Sequence, residues 1–253
     1  MRIAFASTAV LALFVGATAP VQAGGSIKDS YAAPAFSWTG FYVGGHAGLG
    51  TGQTTGRPES INGTPIAALL GPVIGPAVSN FFSTDYDMSG AVYGAHVGYN
   101  YQTGSAVFGI EASYSGSSIS GNSASGIILN SDRELDWLAT VTGRIGYAMG
   151  RSLVYAKGGV AWGEVSTGIG LGGIKILDGG ETHVGWTAGA GFEHAITNNV
   201  TFRIEYAHID LGSETHSLGN TGALGILPPG TLNIGDKVDA KFDTVTIGVS
   251  YKF

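Results

Sequence analysis

"DTVTIGVSYKF", Asp243–Phe253, alternates without a break. Val245, Ile247, Val249, Tyr251 and Phe253 fall on one face, and Thr244, Thr246, Gly248, Ser250 and Lys252 on the other. Period two with unlike faces marks a β-strand whose two sides meet different surroundings. Which face meets what is decided by the rest of the chain.

The same pattern recurs near Phe41–Gly50, Met88–Tyr101, Ala106–Gly116, Glu134–Ala148, Ser152–Gly163, His183–Glu193 and Val200–Ile209, giving eight expected strands of about 10–14 residues. Connections alternate as well. Gln102–Ser105, Met149–Arg151 and Thr197–Asn199 are tight, with Gly, Ser and Asn supplying turn chemistry. Thr51–Asp87, Ser117–Arg133, Val165–Thr182 and Gly212–Asp239 read as long loops, all at one end of a meander.

Composition narrows the class. Charged residues are 12%, against roughly 25% in soluble domains, and the 43 glycines more than double the usual share. The absence of Cys excludes disulfides, thiolate metal sites and Cys nucleophiles. A net charge of −6 lacks the basic footprint of nucleic-acid binding.

The longest apolar stretch after the N-terminus, Thr64–Phe82, is interrupted by Pro65, Pro72 and Pro76, so it reads as a loop with an apolar tip at Ile66–Val78. In lipid, only helices and closed barrels pair every backbone group. An even number of strands, apolar outside and polar inside, with short turns at one end and long loops at the other, is the pattern of an eight-stranded antiparallel up-and-down transmembrane β-barrel. Both termini are then expected on the periplasmic side, with four long outer loops. The aromatics sort accordingly: Phe41, Tyr99, Phe108, Tyr147, Phe192, Phe202, Tyr251 and Phe253 toward the short turns, and Tyr93, Tyr114, Trp137, Trp162, Trp186 and Tyr206 toward the loops.

The inward faces collect His46, His96, Glu111, Arg144, Lys157, Glu193, Arg203, Glu205 and Lys252. An eight-stranded barrel is just wide enough for side chains to fill it, and buried charges need partners, so these predict a polar network plugging the lumen. The rival expectation is a porin-like channel lined by the same charges. A secreted, lipocalin-like soluble barrel would need an apolar interior instead.

Residues 1–23, MRIAFASTAVLALFVGATAPVQA, carry Arg2, an apolar run and small residues at Val21 and Ala23, the form of a cleaved export signal with cleavage between Ala23 and Gly24. Residues 24–40 then form a periplasmic segment and 41–253 the barrel. The sequence carries no G-x-S-x-G, H-E-x-x-H or P-loop motif. GLGTG at Gly48–Gly52 is a weak echo of a dinucleotide loop. His183, His208 and His216, with Asp210, Ser213 and Glu214, form the one imaginable nucleophile–base–orienter set, and the histidines lack metal-ligand spacing. Asn62 and Asn199 stand in sequons that an exported bacterial chain would not use. No enzymatic activity and no cofactor are expected.

Three stretches carry a family resemblance. FSWTGFYVGGHAGLGTG (Phe36–Gly52), DWLATVTGRIGYAMGRSLVYAKGGVAWG (Asp136–Gly163) and TVTIGVSYKF (Thr244–Phe253) resemble the small surface-antigen barrels of alphaproteobacteria, the RopB-type, porin-like outer-membrane proteins. The resemblance implies an integral outer-membrane protein linked to envelope integrity and host interaction. Its implied surroundings are outer-membrane lipid and lipopolysaccharide, with a host or envelope partner at the outer loops. It also implies that Tyr251 and Phe253 form a terminal aromatic signal read by the barrel-assembly machinery. The Pro-rich stretch 64–78 and LGILPPGTLN at 224–233 have no counterpart in that pattern.

Overall fold

The computed structural model describes residues 36–63, 85–125, 129–171, 174–220 and 232–253. The export signal with Ala23 and Gly24, and the apolar tip at Ile66–Val78, lie outside the described residues, as does most of 224–233. The eight strands are β1 (Gly40–Gly63), β2 (Asp85–Thr103), β3 (Ala106–Ser125), β4 (Leu129–Met149), β5 (Ser152–Leu171), β6 (Ile174–Ala195), β7 (Val200–Asn220) and β8 (Leu232–Lys252). Each pairs antiparallel with the next. β8 closes on β1 from Tyr42↔Lys252 to Gly63↔Leu232, so the sheet closes on itself as a barrel.

Alternation sets the two faces. Phe41, Leu49, Ile110, Ile145, Ile247 and Val249 are half or more exposed on the outside. Tyr42, His96, Glu111, Arg144, Arg203 and Ser250 are buried inside. An exterior of Phe, Leu, Ile and Val around a charged interior is a soluble barrel turned inside out, and it suits a lipid solvent. Gly104 (φ 59°) and Gly150 (φ 63°) sit at the tips of the β2–β3 and β4–β5 turns, where the left-handed backbone favours glycine.

The strands differ from expectation in length. They run 19 to 24 residues, and much of what reads as loop is ladder: Thr51–Gly63 pairs with Leu232–Asp243, and Ser120–Ser125 with Leu129–Glu134. Thr51–Gly63, Ser120–Ser125 and Leu129–Glu134 are rich in Ser, Thr, Gly and Asn, so their sequence has little apolar contrast, whereas Leu232, Ile234, Val238, Ala240 and Phe242 do alternate with polar residues. The backbone stays extended because each stretch is laddered to an extended neighbour: Gly56–Gly63 to β8 and Gly121–Ser125 to β4.

Bulges break the side-chain phase where the apolar band gives way to these polar extensions. They lie at Gly116/Ile119, Leu135/Trp137 and Asp210/Ser213, the last beside Gly212 at φ 67°. Each inserts an extra residue and re-aims the side chains beyond it. Ile119, Leu135 and Leu211 consequently point inward and are fully buried.

Candidate functional site

The lumen is filled in three layers. At the turn end, Phe36–Thr39 crosses the barrel mouth. The Trp38 backbone N–H donates to Gln102 Oε1 (2.7 Å), and its indole Nε1–H to the Gly150 carbonyl (3.2 Å). Trp38 is buried on Val107, Ala148, Leu153, Tyr155 and Ala195, with Phe36 packed against the group. Arg151 and Lys252 lie over the Phe36 ring at 5.4 and 5.6 Å.

The middle layer is ionic and centres on Glu111. Its Oε2 accepts from Arg203 Nη1 (2.6 Å) and the Tyr42 hydroxyl (2.9 Å), and Lys157 Nζ lies 3.4 Å from Oε1. Glu205 accepts from Lys157 Nζ (2.6 Å) and the Tyr155 hydroxyl (2.7 Å). Glu193 pairs with Arg144 Nη1 (3.3 Å) and accepts from Thr201 (2.6 Å). Arg144 Nε donates to Asn100 Oδ1 (2.8 Å), and its guanidinium lies over the Tyr42 and Tyr155 rings at 4.6 and 5.1 Å. Three cations and three carboxylates thus balance. A buried pair recovers its desolvation cost only when geometry and extra hydrogen bonds are both good, and the tyrosines supply the extra bonds.

Beside this layer His46 and His96 meet. Their Nδ1 atoms are 3.3 Å apart; His46 Nε2 lies 2.8 Å from Ser115 Oγ, and His96 Nε2 lies 2.8 Å from Ser250 Oγ. Gly44 is what admits the His96 ring, since a side chain there would collide with it.

The third layer, toward the loop end, is apolar: Met88, Val92, Ile119, Leu135, Leu138, Ile209, Leu211 and Phe242 with smaller neighbours. Between it and the ionic layer lies a cavity of about 40 Å³. Its walls are His46, Lys157, Arg203, Glu205 and the hydroxyls of Ser113, Ser115, Thr140, Thr187, Thr244 and Thr246 on one side, and Val92, Leu138, Ala207 and Ile209 on the other. That is room for a few waters at most.

Of the residues expected inside, Glu111, Arg144, Lys157, Glu193, Arg203 and Glu205 come together in the middle layer, with His46 and His96 beside it. Lys252 does not join them. Its Nζ turns to the Thr39 carbonyl (3.3 Å) at the turn-end mouth, because its position next to the strand end lies level with the strap, beyond reach of the carboxylates. The partners that sequence reasoning left out, Tyr42, Asn100, Tyr155, Ser115 and Ser250, stand on the same inward parity, and that parity is the signal that finds them. The apolar layer was not expected at all.

The imagined catalytic set does not converge. His208 Nδ1 lies 2.9 Å from Asp243 Oδ1, which also accepts from the Tyr206 hydroxyl (2.6 Å). Asp210 pairs with Lys241 (3.2 Å), His183 is buried on the inner face, and the His216 side chain lies outside the described set. GLGTG lies within β1, where Gly48 packs on the Val245 carbonyl and the strand continues to Gly63. On the outer wall, two of the loop-end aromatics are tied to carboxylates, Trp137 Nε1–H to Glu164 (2.7 Å) and the Tyr206 hydroxyl to Asp243 (2.6 Å). Ring-plus-carboxylate pairs of this kind mark where an apolar band ends and a polar environment begins.

Comparison with known proteins agrees with this architecture. A family model described as the outer membrane protein beta-barrel domain matches residues 9–253. The 31 kDa outer-membrane immunogenic protein of Brucella melitensis is 34% identical over 226 residues, covering 86% of this chain and 85% of the relative. The 22 kDa outer membrane protein of Rhizobium leguminosarum is 30% identical over 190 residues, covering 73% and 70%. Among solved structures, the outer membrane protease OmpT of Escherichia coli superposes with a TM-score of 0.51 at 10% identity, over 88% of this chain and all of that one, a likeness of fold alone.

Proposed function

The chain belongs to the outer-membrane β-barrel protein family and resides in the outer membrane, and from that premise we propose that it is a sealed structural barrel that presents its loop end at the cell surface. The observation that carries this reading is the layering of the lumen. Apolar side chains at both ends enclose an ionic layer whose charges are already paired. A water-filled path for ions needs a continuous polar lining, and a hydrophobic constriction gates by dewetting. The tight turns and the strap face the periplasm in this reading, and the extended strands face outward. The relatives named immunogenic fit an exposed loop end. The reading is non-catalytic: the His46–Ser115 and His96–Ser250 couples lie in the lumen beside a cavity that admits water rather than a substrate, and the exposed Ser152–His194 couple has no pocket among the described residues.

The test is conductance of refolded protein in planar bilayers at about neutral pH. Silence is expected. The double substitution Leu211→Ala with Phe242→Ala, which removes the bulk of the apolar layer, should open a small conductance. A steady channel from the unsubstituted protein would favour the porin-like alternative.

A further inference from the structure

The His46–His96 pair has a geometry that the closed barrel does not require. The nitrogens are 3.3 Å apart and the ring centroids 5.6 Å, so the rings meet end-on along the N–N line. Two nitrogens converging on a tetrahedral ion at about 2.0–2.1 Å would bring the centroids closer together. End-on approach is that of a shared proton. With Ser115 and Ser250 on the outer nitrogens, the four groups form one chain with three links.

The proton count of that chain fixes its behaviour. With both rings neutral, one Nδ1–H donates to the other Nδ1, and every link is made. One added proton keeps every link, because the serine hydroxyls accept as readily as they donate. A second added proton sets two N–H groups head-on at a separation fit for one, and no arrangement of the four groups satisfies both.

The surroundings decide whether that second proton can be compensated. His46 lines the cavity beneath the apolar layer, together with Lys157 and Arg203 from β5 and β7. Glu205 of β7 and Glu111 of β3 face the pair but are held by those same cations. Arg144 of β4 and Glu193 of β6 are bound to each other. Tyr42 of β1 lies 6.1 Å from the His96 ring, its hydroxyl committed to Glu111. β8 offers only Ser250, Thr246 and Gly248. The fixed charges sum to zero, so no carboxylate is free to neutralise imidazolium.

We infer that the His46–His96 pair is an acid-sensitive latch on the lumen: proton uptake by both rings splits the pair, hydrates the cavity and wets the apolar layer above it, opening a narrow conductance. Histidine is the side chain whose ordinary titration falls between about pH 5 and 8. Linkage sets the sign. The closed state holds both rings without a full complement of protons and the opened state binds more, so acid favours opening.

The inference rests on a lumen that is closed at neutral pH, and one experiment separates the two. Refolded protein is placed in planar bilayers at about pH 7.5 and about pH 5, on either side of the ordinary histidine range, alongside His46→Gln/His96→Gln. Folding of both proteins is verified by heat-modifiable gel mobility. The expected result is silence at the higher pH and stepwise openings at the lower one in the unsubstituted protein, with the double variant silent at both. Steady conductance at the higher pH contradicts the sealed reading itself. Silence at both values, or an acid response that survives in the double variant, overturns the latch. If the variant does not fold, the acid response of the unsubstituted protein still decides, since its absence overturns the proposal. Its presence is then checked with His96→Asn, where loss of the response supports the latch and persistence overturns it.

Discussion

At the scale of single residues, Glu111 holds the interior together. It bonds Arg203 and Tyr42 and faces Lys157 and Arg144, with its side chain 1% exposed. Removing one partner of a buried ion pair leaves charge uncompensated and costs about 3–5 kcal/mol. Glu111→Gln is therefore expected to lower the temperature at which the barrel changes gel mobility in detergent, and by more than Glu193→Gln, whose partners are fewer. An unchanged transition would show that the cations find other company. Trp38 is the corresponding apolar residue. Trp38→Ala removes the largest side chain of the turn-end layer and is expected to cost about 3–5 kcal/mol, read by the same transition. Phe253 reaches the seam: its N–H donates to the Phe41 carbonyl (2.9 Å), and its ring stands edge-on to Tyr251 at 5.1 Å. Phe253→Ala is expected to reduce the fraction of chain assembled in the outer membrane, measured by surface labelling of cells.

At the scale of elements, the polar extensions of the strands are the less expected part. The paired amides of Ser120–Ser125 and Leu129–Glu134 are predicted to exchange with deuterium far more slowly than free loop amides, because each is held in a ladder. Exchange at loop rates would contradict the extended strands. Gly212 turns the bulge in β7 at φ 67°, and Gly212→Ala should cost about 1–2 kcal/mol, since a Cβ is strained there. The same elements mark how far the sequence could be read. In the lipid-facing segments most residues contrast with their neighbours, so parity alone places Phe41, Ile110 and Val249 outside and Arg144 and Arg203 inside. Beyond the belt, the Thr, Ser and Gly of Thr51–Gly63 and Ser120–Ser125 leave little contrast and read as loops, while Leu232–Phe242 keeps its alternation and is the extension the sequence does show. The apolar layer was hidden for a related reason. Val92, Leu138 and Ile209 share a parity with polar residues and look like exceptions one by one. Leu135, Ile119 and Leu211 take their inward direction from bulges, which depend on the neighbouring strand and leave no trace in a single segment.

At the scale of the whole molecule, a membrane protein of this kind reverses the usual solvent logic. The outside is apolar because its solvent is lipid, and the middle of the inside is ionic because eight strands leave room for side chains but for little water. In the proposed sealed barrel the apolar layers at each end close the lumen, and the charges are solvated by one another. The chain lacks cysteine, which allows a direct test of that seal. Ser113 lines the cavity between the ionic and apolar layers, and Glu134 is exposed at the loop end. With single substitutions Ser113→Cys and Glu134→Cys in folded protein at neutral pH, a charged, membrane-impermeant thiol reagent should label Glu134→Cys promptly and leave Ser113→Cys unlabelled until the barrel is unfolded. Labelling of Ser113→Cys in the folded barrel at the rate of Glu134→Cys would contradict a sealed lumen.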